Sequence, residues 1–254
     1  MKQIYKSAFK FVLIVLPFAL VAGISLANYE IGTGVITEEI LSQVSKTTII
    51  SSITIQTVLY AVICGFIGYL LADKIGLLRS FAWSGSYFKK ALAGGAICGI
   101  LFFVLDYLIF AKLLVPVAEY YETYTFSIYY LLAKVLYGGM VEELLMRWFL
   151  MSLLIMILWK IFDRKADKES IPAWIMVVSN IVIAVLFALG HLPATIVMFG
   201  HLSFLIVTRC ILLNGSFGLV FGRLYRKYGI QYAMVAHAVT HIVCDVLFFI
   251  FCRL

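Results

Sequence analysis

The chain has 254 residues, 64% of them hydrophobic and only 13% charged, with a formal net charge of +7 and a mean hydropathy of +1.06. Soluble globular domains hold about 45–50% apolar and about 25% charged residues, so this composition excludes a soluble domain, a disordered chain, a collagen-like fibre and a disulfide-stapled secreted scaffold. A polytopic membrane protein remains, with the lipid bilayer as its surroundings. The basic excess forms no stripe with interleaved stacking aromatics, so nucleic acid is not an expected partner.

A helix crossing a ~30 Å hydrocarbon core needs about 20 apolar residues. The first candidate is Phe9 to Ala27, behind the basic start MKQIYK. A basic start, an apolar stretch and the small residues Ser25-Leu26-Ala27 also resemble a secretory signal, but retention as a span is expected because the rest of the chain inserts anyway. The next spans are about Ile49 to Ala72 and Ala91 to Leu114. Phe126 to Phe162 follows without a proline, and as one straight helix it would be ~55 Å long, too much for one crossing. Either Gly138-Gly139 breaks it or its tyrosine-rich start lies in the membrane interface. Later spans run about Pro172 to Leu192, Ile196 to Leu213 and Ile230 to Cys252. The expected fold is an all-α transmembrane bundle of seven spans, with an eighth not excluded. It forms one membrane domain, 1–254, with three spans in 1–114 and a core in 126–252.

Five cysteines, Cys64, Cys98, Cys210, Cys244 and Cys252, all lie in apolar segments without CxxC or Cys/His spacing. Reduced packing residues are expected rather than a disulfide framework. Lys and Arg concentrate in alternate loops: the N-terminus with Lys2, Lys6 and Lys10; Asp73–Lys90; Phe162–Ile171; and Asn214–Gly229. The intervening loops are acidic, with Glu30, Glu38 and Glu39 in one and Glu119 and Glu122 in another. By the positive-inside rule the N-terminus is cytoplasmic.

Several ionisable residues fall inside or near the spans: Asp106, Lys134, Glu142, Glu143, Arg147, Arg209 and Asp245, with His191, His201, His237 and His241. Each central charge costs roughly 2.5–3.5 kcal/mol on the insertion scale, so Glu142, Glu143 and Arg147 would together cost about 7–10 kcal/mol without partners. Glu143 and Arg147 are four apart and share a helix face, where they can pair. Glu142 points about 100° away, free for another partner. A plain buried ion pair accounts for Glu143 and Arg147 but not for the second glutamate, whereas a carboxylate that stays ionised suits a general base. His191 follows Phe187 by four residues at a span end, where an interfacial hydrogen bond is the plainer role. His237, His241 and Asp245 form a stripe on the last span, suited to metal binding, to oxyanion stabilisation or to a polar interhelix network. His201 has no partner at helical spacing and reads as structural. At 1.5 Å per residue, Glu142 and His191 lie about 25–28 Å from their cytoplasmic ends and His241 about 20 Å, so the three segments can meet in the non-cytoplasmic half.

In these residues the sequence resembles the CPBP family of CAAX prenyl endopeptidases and bacteriocin-processing membrane proteases, also called Abi. The family pattern is EExxxR, FxxxH and then HxxxN or HxxxD on separate membrane helices. It is met by Glu142-Glu143-Leu144-Leu145-Met146-Arg147 and by Phe187-Ala188-Leu189-Gly190-His191. The flanking LYGGMVEELLMRWFLM and FALGHLP look like bacterial members, which implies the plasma membrane of a bacterium. The third motif departs from the pattern. His237 at its usual position puts His241 where Asn or Asp stands, while His241 with Asp245 matches HxxxD literally.

The resemblance implies an intramembrane endopeptidase acting on a peptide or membrane-protein substrate. Glu142 would polarise the attacking water with His191 as its partner, and His237 and His241 would bind the oxyanion. Glu143 and Arg147 would brace the site, with Asp245 in support. The cofactor is left open: Glu142, His191 and His237 or His241 are candidate zinc ligands, a metal-free glutamate mechanism is also consistent, and HExxH is absent. Two other readings stand beside it. One is a non-catalytic immunity or scaffold protein of the same fold; the other is a small transporter using the buried charges as a proton relay.

Overall fold

The computed structural model describes residues 2–123, 125–165 and 167–252, and every regular element among them is helical. In chain order these are α1 (Lys2–Gly32), the short α2 (Glu38–Gln43), α3 (Lys46–Lys74), α4 (Gly85–Leu113), the short α5 (Val115–Thr123), α6 (Ile128–Phe162), α7 (Ala173–Phe199), α8 (Phe204–Tyr228) and α9 (Ile230–Cys252). Seven of them, all but α2 and α5, are long and apolar enough to cross a membrane. Side-chain caps start several of these helices. The hydroxyls of Thr37, Ser45, Ser127 and Ser203 each accept from a backbone N–H of the following first turn, satisfying donors that have no intrahelical partner.

Two expectations are corrected here. The sixth span lies at Phe204–Tyr228 rather than about Ile196 to Leu213, so most of the expected basic loop Asn214–Gly229 is helix. Gly200 takes a left-handed φ of 76° and ends α7, and Ser203 caps α8. The second half of α8 is amphipathic: Phe217, Gly218, Phe221, Gly222, Leu224 and Tyr225 are buried while Arg223, Arg226 and Lys227 interrupt the apolar run. Averaged hydropathy reads such a segment as loop, although its apolar residues recur at helical spacing. The fourth span is not broken at Gly138-Gly139. It runs unbroken from Ile128 to Phe162 and widens into π-helical turns at Ala133–Glu142 and Leu144–Met151. Such turns are uncommon and recur at functional sites.

Helix α9 packs into α4 through small residues. A Cβ on Gly95 would collide with the carbonyl of Ala236, and one on Gly99 would lie 2.6 Å from the carbonyl of Thr240. The Thr240 hydroxyl donates to the Gly95 carbonyl at 3.2 Å. This close approach is the small-xxx-small packing of membrane helices. It sets the height at which α9 presents His237 and His241.

Candidate active site

The first part of α6 and the middle of α9 meet across a cavity of about 480 Å³. Its walls come from the ends of α1, α4 and α7, the beginnings of α6 and α8 and the second half of α9. All of these lie at the end of the bundle away from the N-terminal Lys2, where the sequence-based depths had put the motifs. Glu142, His191, His237 and His241 all line it, with Lys134 and Asp245 farther along.

Behind that wall stands a buried ion pair. Arg147 Nη1 donates to Glu143 Oε1 at 2.7 Å, with both side chains at most 1% exposed. Arg147 Nη2 also donates to the carbonyl of Gly218 at 3.2 Å, and the guanidinium packs over the rings of Phe187 at 4.6 Å and Phe221 at 5.6 Å. One turn of α6 is thereby clamped to α7 and α8. Paired with Arg147, the Glu143 Oε1 atom stands as a hydrogen-bond acceptor. His237 Nδ1 lies 2.8 Å from the same Oε1, so Nδ1 carries a proton. The ring is further fixed by stacking on Phe221, 4.5 Å between centroids, and by His241 at 5.0 Å on its other side.

With Nδ1 committed, the other ring nitrogen of His237 is the one left for chemistry. His237 Nε2 lies 4.0 Å from Glu142 Oε2, too far for a direct hydrogen bond but near enough for both to reach one water at about 3 Å. His191 is set by a similar device. Its Nδ1 is 2.7 Å from the carbonyl of Phe187, an acceptor only, so Nδ1 is the donor and Nε2 is the ring nitrogen left to face the cavity. The residue sits where α7 steps, with φ −87° and ψ −11°, and Pro193 follows in the next turn.

His241 extends the wall beside α6: a Cβ on Gly138 would lie 3.0 Å from His241 Nε2. A side chain at position 138 would force that ring to give by a few tenths of an ångström. Asp245 is one turn farther along α9 and is bound to Lys134 Nζ at 2.7 Å. Of the two registers, His237 is therefore the residue facing the paired glutamates, and Asp245 is engaged elsewhere. His201 is exposed in the turn between α7 and α8, away from the cavity. Among the described residues no three His, Cys, Asp or Glu side chains are grouped so as to hold a metal ion. The candidate zinc ligands thus do not fit that role.

One buried constellation escaped the sequence reading. Arg209 of α8 binds Asp106 of α4 through Nε and Nη2, the second at 2.6 Å, and the Tyr121 hydroxyl of α5 donates to the same carboxylate at 2.6 Å. Burial and the nearby Asp106 carboxylate push the Tyr121 phenol far up, so it stays protonated and donates. The available signal was two opposite charges in separate apolar spans, each needing a partner. Lys134 and Asp245 carried the same signal.

Residues 124–243, just under half of the chain, match the family described as Type II CAAX prenyl endopeptidase Rce1-like. No curated protein and no solved structure matches the chain. The matched stretch holds Glu142, Glu143, Arg147, His191, His237 and His241, and it ends before Asp245. Over residues 124–243, and on the side chains just described, the chain is similar to the type II CAAX prenyl endopeptidases of the Rce1-like family.

Proposed function

We propose that the protein is an intramembrane endopeptidase that hydrolyses a peptide bond in a peptide or membrane-protein substrate by glutamate-activated water. The observation that carries this reading is the 4.0 Å gap between Glu142 Oε2 and His237 Nε2, with His237 held from behind by Glu143 at 2.8 Å. A water in that gap gives one hydrogen to Glu142 and the other to His237 Nε2, which aims its lone pair into the cavity. As the water oxygen attacks the scissile carbonyl, Glu142 takes its proton. The C=O becomes an oxyanion beside His241, whose ring can donate to it. The protonated Glu142 then passes its proton to the amide nitrogen as the C–N bond breaks, leaving a carboxylic acid and an amine. His191, with its Nε2 lone pair, accepts from Glu142 while that carboxyl holds the proton taken from the water.

By the alternation of basic and acidic ends, the N-terminus lies on the cytoplasmic side of the membrane and the cavity towards the other leaflet; the likeness of the motif flanks to bacterial members favours a bacterial plasma membrane. The test is cleavage of a peptide library by the detergent-purified protein beside Glu142→Gln and Glu142→Ala. General acid–base catalysis contributes roughly 10²–10⁴-fold, so losses of that size are expected. Equal rates in all three, zero included, would overturn the reading.

A further inference from the structure

Six charged side chains line the cavity: Glu30, Asp106, Lys134, Glu142, Arg209 and Asp245. Four of them cancel, Asp106 against Arg209 and Asp245 against Lys134. Glu142 and Glu30 remain, and among the described residues neither lies within ion-pair distance of a lysine or arginine. Hydrolysis accounts for Glu142. It makes no use of Glu30, which comes from α1, outside the stretch that matches the family.

The position of Glu30 disfavours a bare carboxylate, a cost that a cationic partner would relieve. It occupies the last turn of α1 (Lys2–Gly32), where the helix dipole is negative and a carboxylate is disfavoured. It is half-buried in the cavity wall, and the Tyr137 ring is within electrostatic reach of both Glu30 and Glu142. The rim repeats the sign. Glu38 and Glu39 of α2 and Glu119 and Glu122 of α5 are all exposed at this end of the bundle, against Lys46 and Lys112. An acidic rim above an uncompensated carboxylate raises the local concentration of cations.

Taking the protease reading as the basis, we infer that the cavity selects peptides carrying a basic side chain or free amine near the scissile bond, and that Glu30 is the specificity-determining counter-ion. The ligand class is a cationic peptide, approaching from the acidic end of the bundle.

Matched peptides carrying Lys, norleucine or Glu at one position, scanned along both sides of the cleavage site, test this. For the wild-type protein, kcat/KM is expected to favour Lys over norleucine by about tenfold at one position, mostly through KM, a difference equivalent to about 1.4 kcal/mol. Glu30→Gln should bring the Lys peptide down to the norleucine rate, and Glu30→Lys should shift the preference to the Glu peptide. Size-exclusion profiles and thermal transitions report whether each variant is folded. Glu142-dependent cleavage with no cationic preference at any position would overturn the inference and leave the protease reading standing. So would a Lys preference that survives in Glu30→Gln. No Glu142-dependent cleavage of any peptide would overturn both.

Discussion

The Nδ1 atom of His237 lies 2.8 Å from Oε1 of Glu143, across 94 positions of sequence, and that oxygen also receives Arg147 at 2.7 Å. One carboxylate oxygen thus neutralises an arginine and orients a histidine. Removing Arg147 would leave Glu143 charged, buried and facing the imidazole alone. Loss of one partner of such a pair costs about 3–5 kcal/mol. Arg147→Met is expected to lose stability of that order in detergent unfolding, and the double variant Glu143→Gln/Arg147→Met should recover part of it. A single variant as stable as wild type would show that the clamp contributes nothing.

Gly138→Ala should separate fold from activity. The added methyl would meet His241 Nε2 at 3.0 Å and touch His237 Nε2 at an ordinary 3.7 Å, so the His241 ring must shift by a few tenths of an ångström while the helices stay in place. We expect an unfolding transition near that of wild type with cleavage reduced roughly 10–100-fold, in line with the sensitivity of positioned groups to small displacements. Full activity would mean that His241 stands clear of the reacting atoms.

The two registers of the third motif make opposite predictions. Lys134 and Asp245 bind each other at 2.7 Å, and replacing both leaves no unpaired charge. Lys134→Met/Asp245→Asn should cleave within about threefold of wild type, while His237→Ala should fall by about 100-fold or more. A double variant as impaired as His237→Ala would move the catalytic histidine to His241 with Asp245.

Chelation tests the donor geometry. Among the described residues no three His, Cys, Asp or Glu side chains are close enough together to hold a metal ion, so dialysis against a strong chelator should leave the rate of peptide cleavage unchanged. Loss of activity that returns on adding zinc would require Glu142, His191 and His237 to close around an ion.

The bundle was legible because its signals are local: apolar runs near 20 residues, alternate loop charge, and motifs confined to single helices. Seven spans and the meeting of Glu142, His191, His237 and His241 at one cavity follow from such signals. The sixth span was misplaced because Arg223, Arg226 and Lys227 lower the average hydropathy of a helix that buries its other face. The choice between His237 and Asp245 depended on Lys134, 111 positions away, and no helical spacing carries that contact. The Asp106–Arg209 pair was hidden in the same way, 103 positions apart.

Gly95 and Gly99 sit outside the stretch shared with the family, yet they fix where the histidines of α9 stand. The shared segment is in this sense a set of tools whose working height is set by a bench built elsewhere in the chain. A chimera that keeps residues 124–243 but takes its first four helices from a relative with bulkier residues at those two positions would carry every motif intact. Its α9 would ride higher against α4, His237 would slip past Glu143, and an enzyme complete by its signature would be silent.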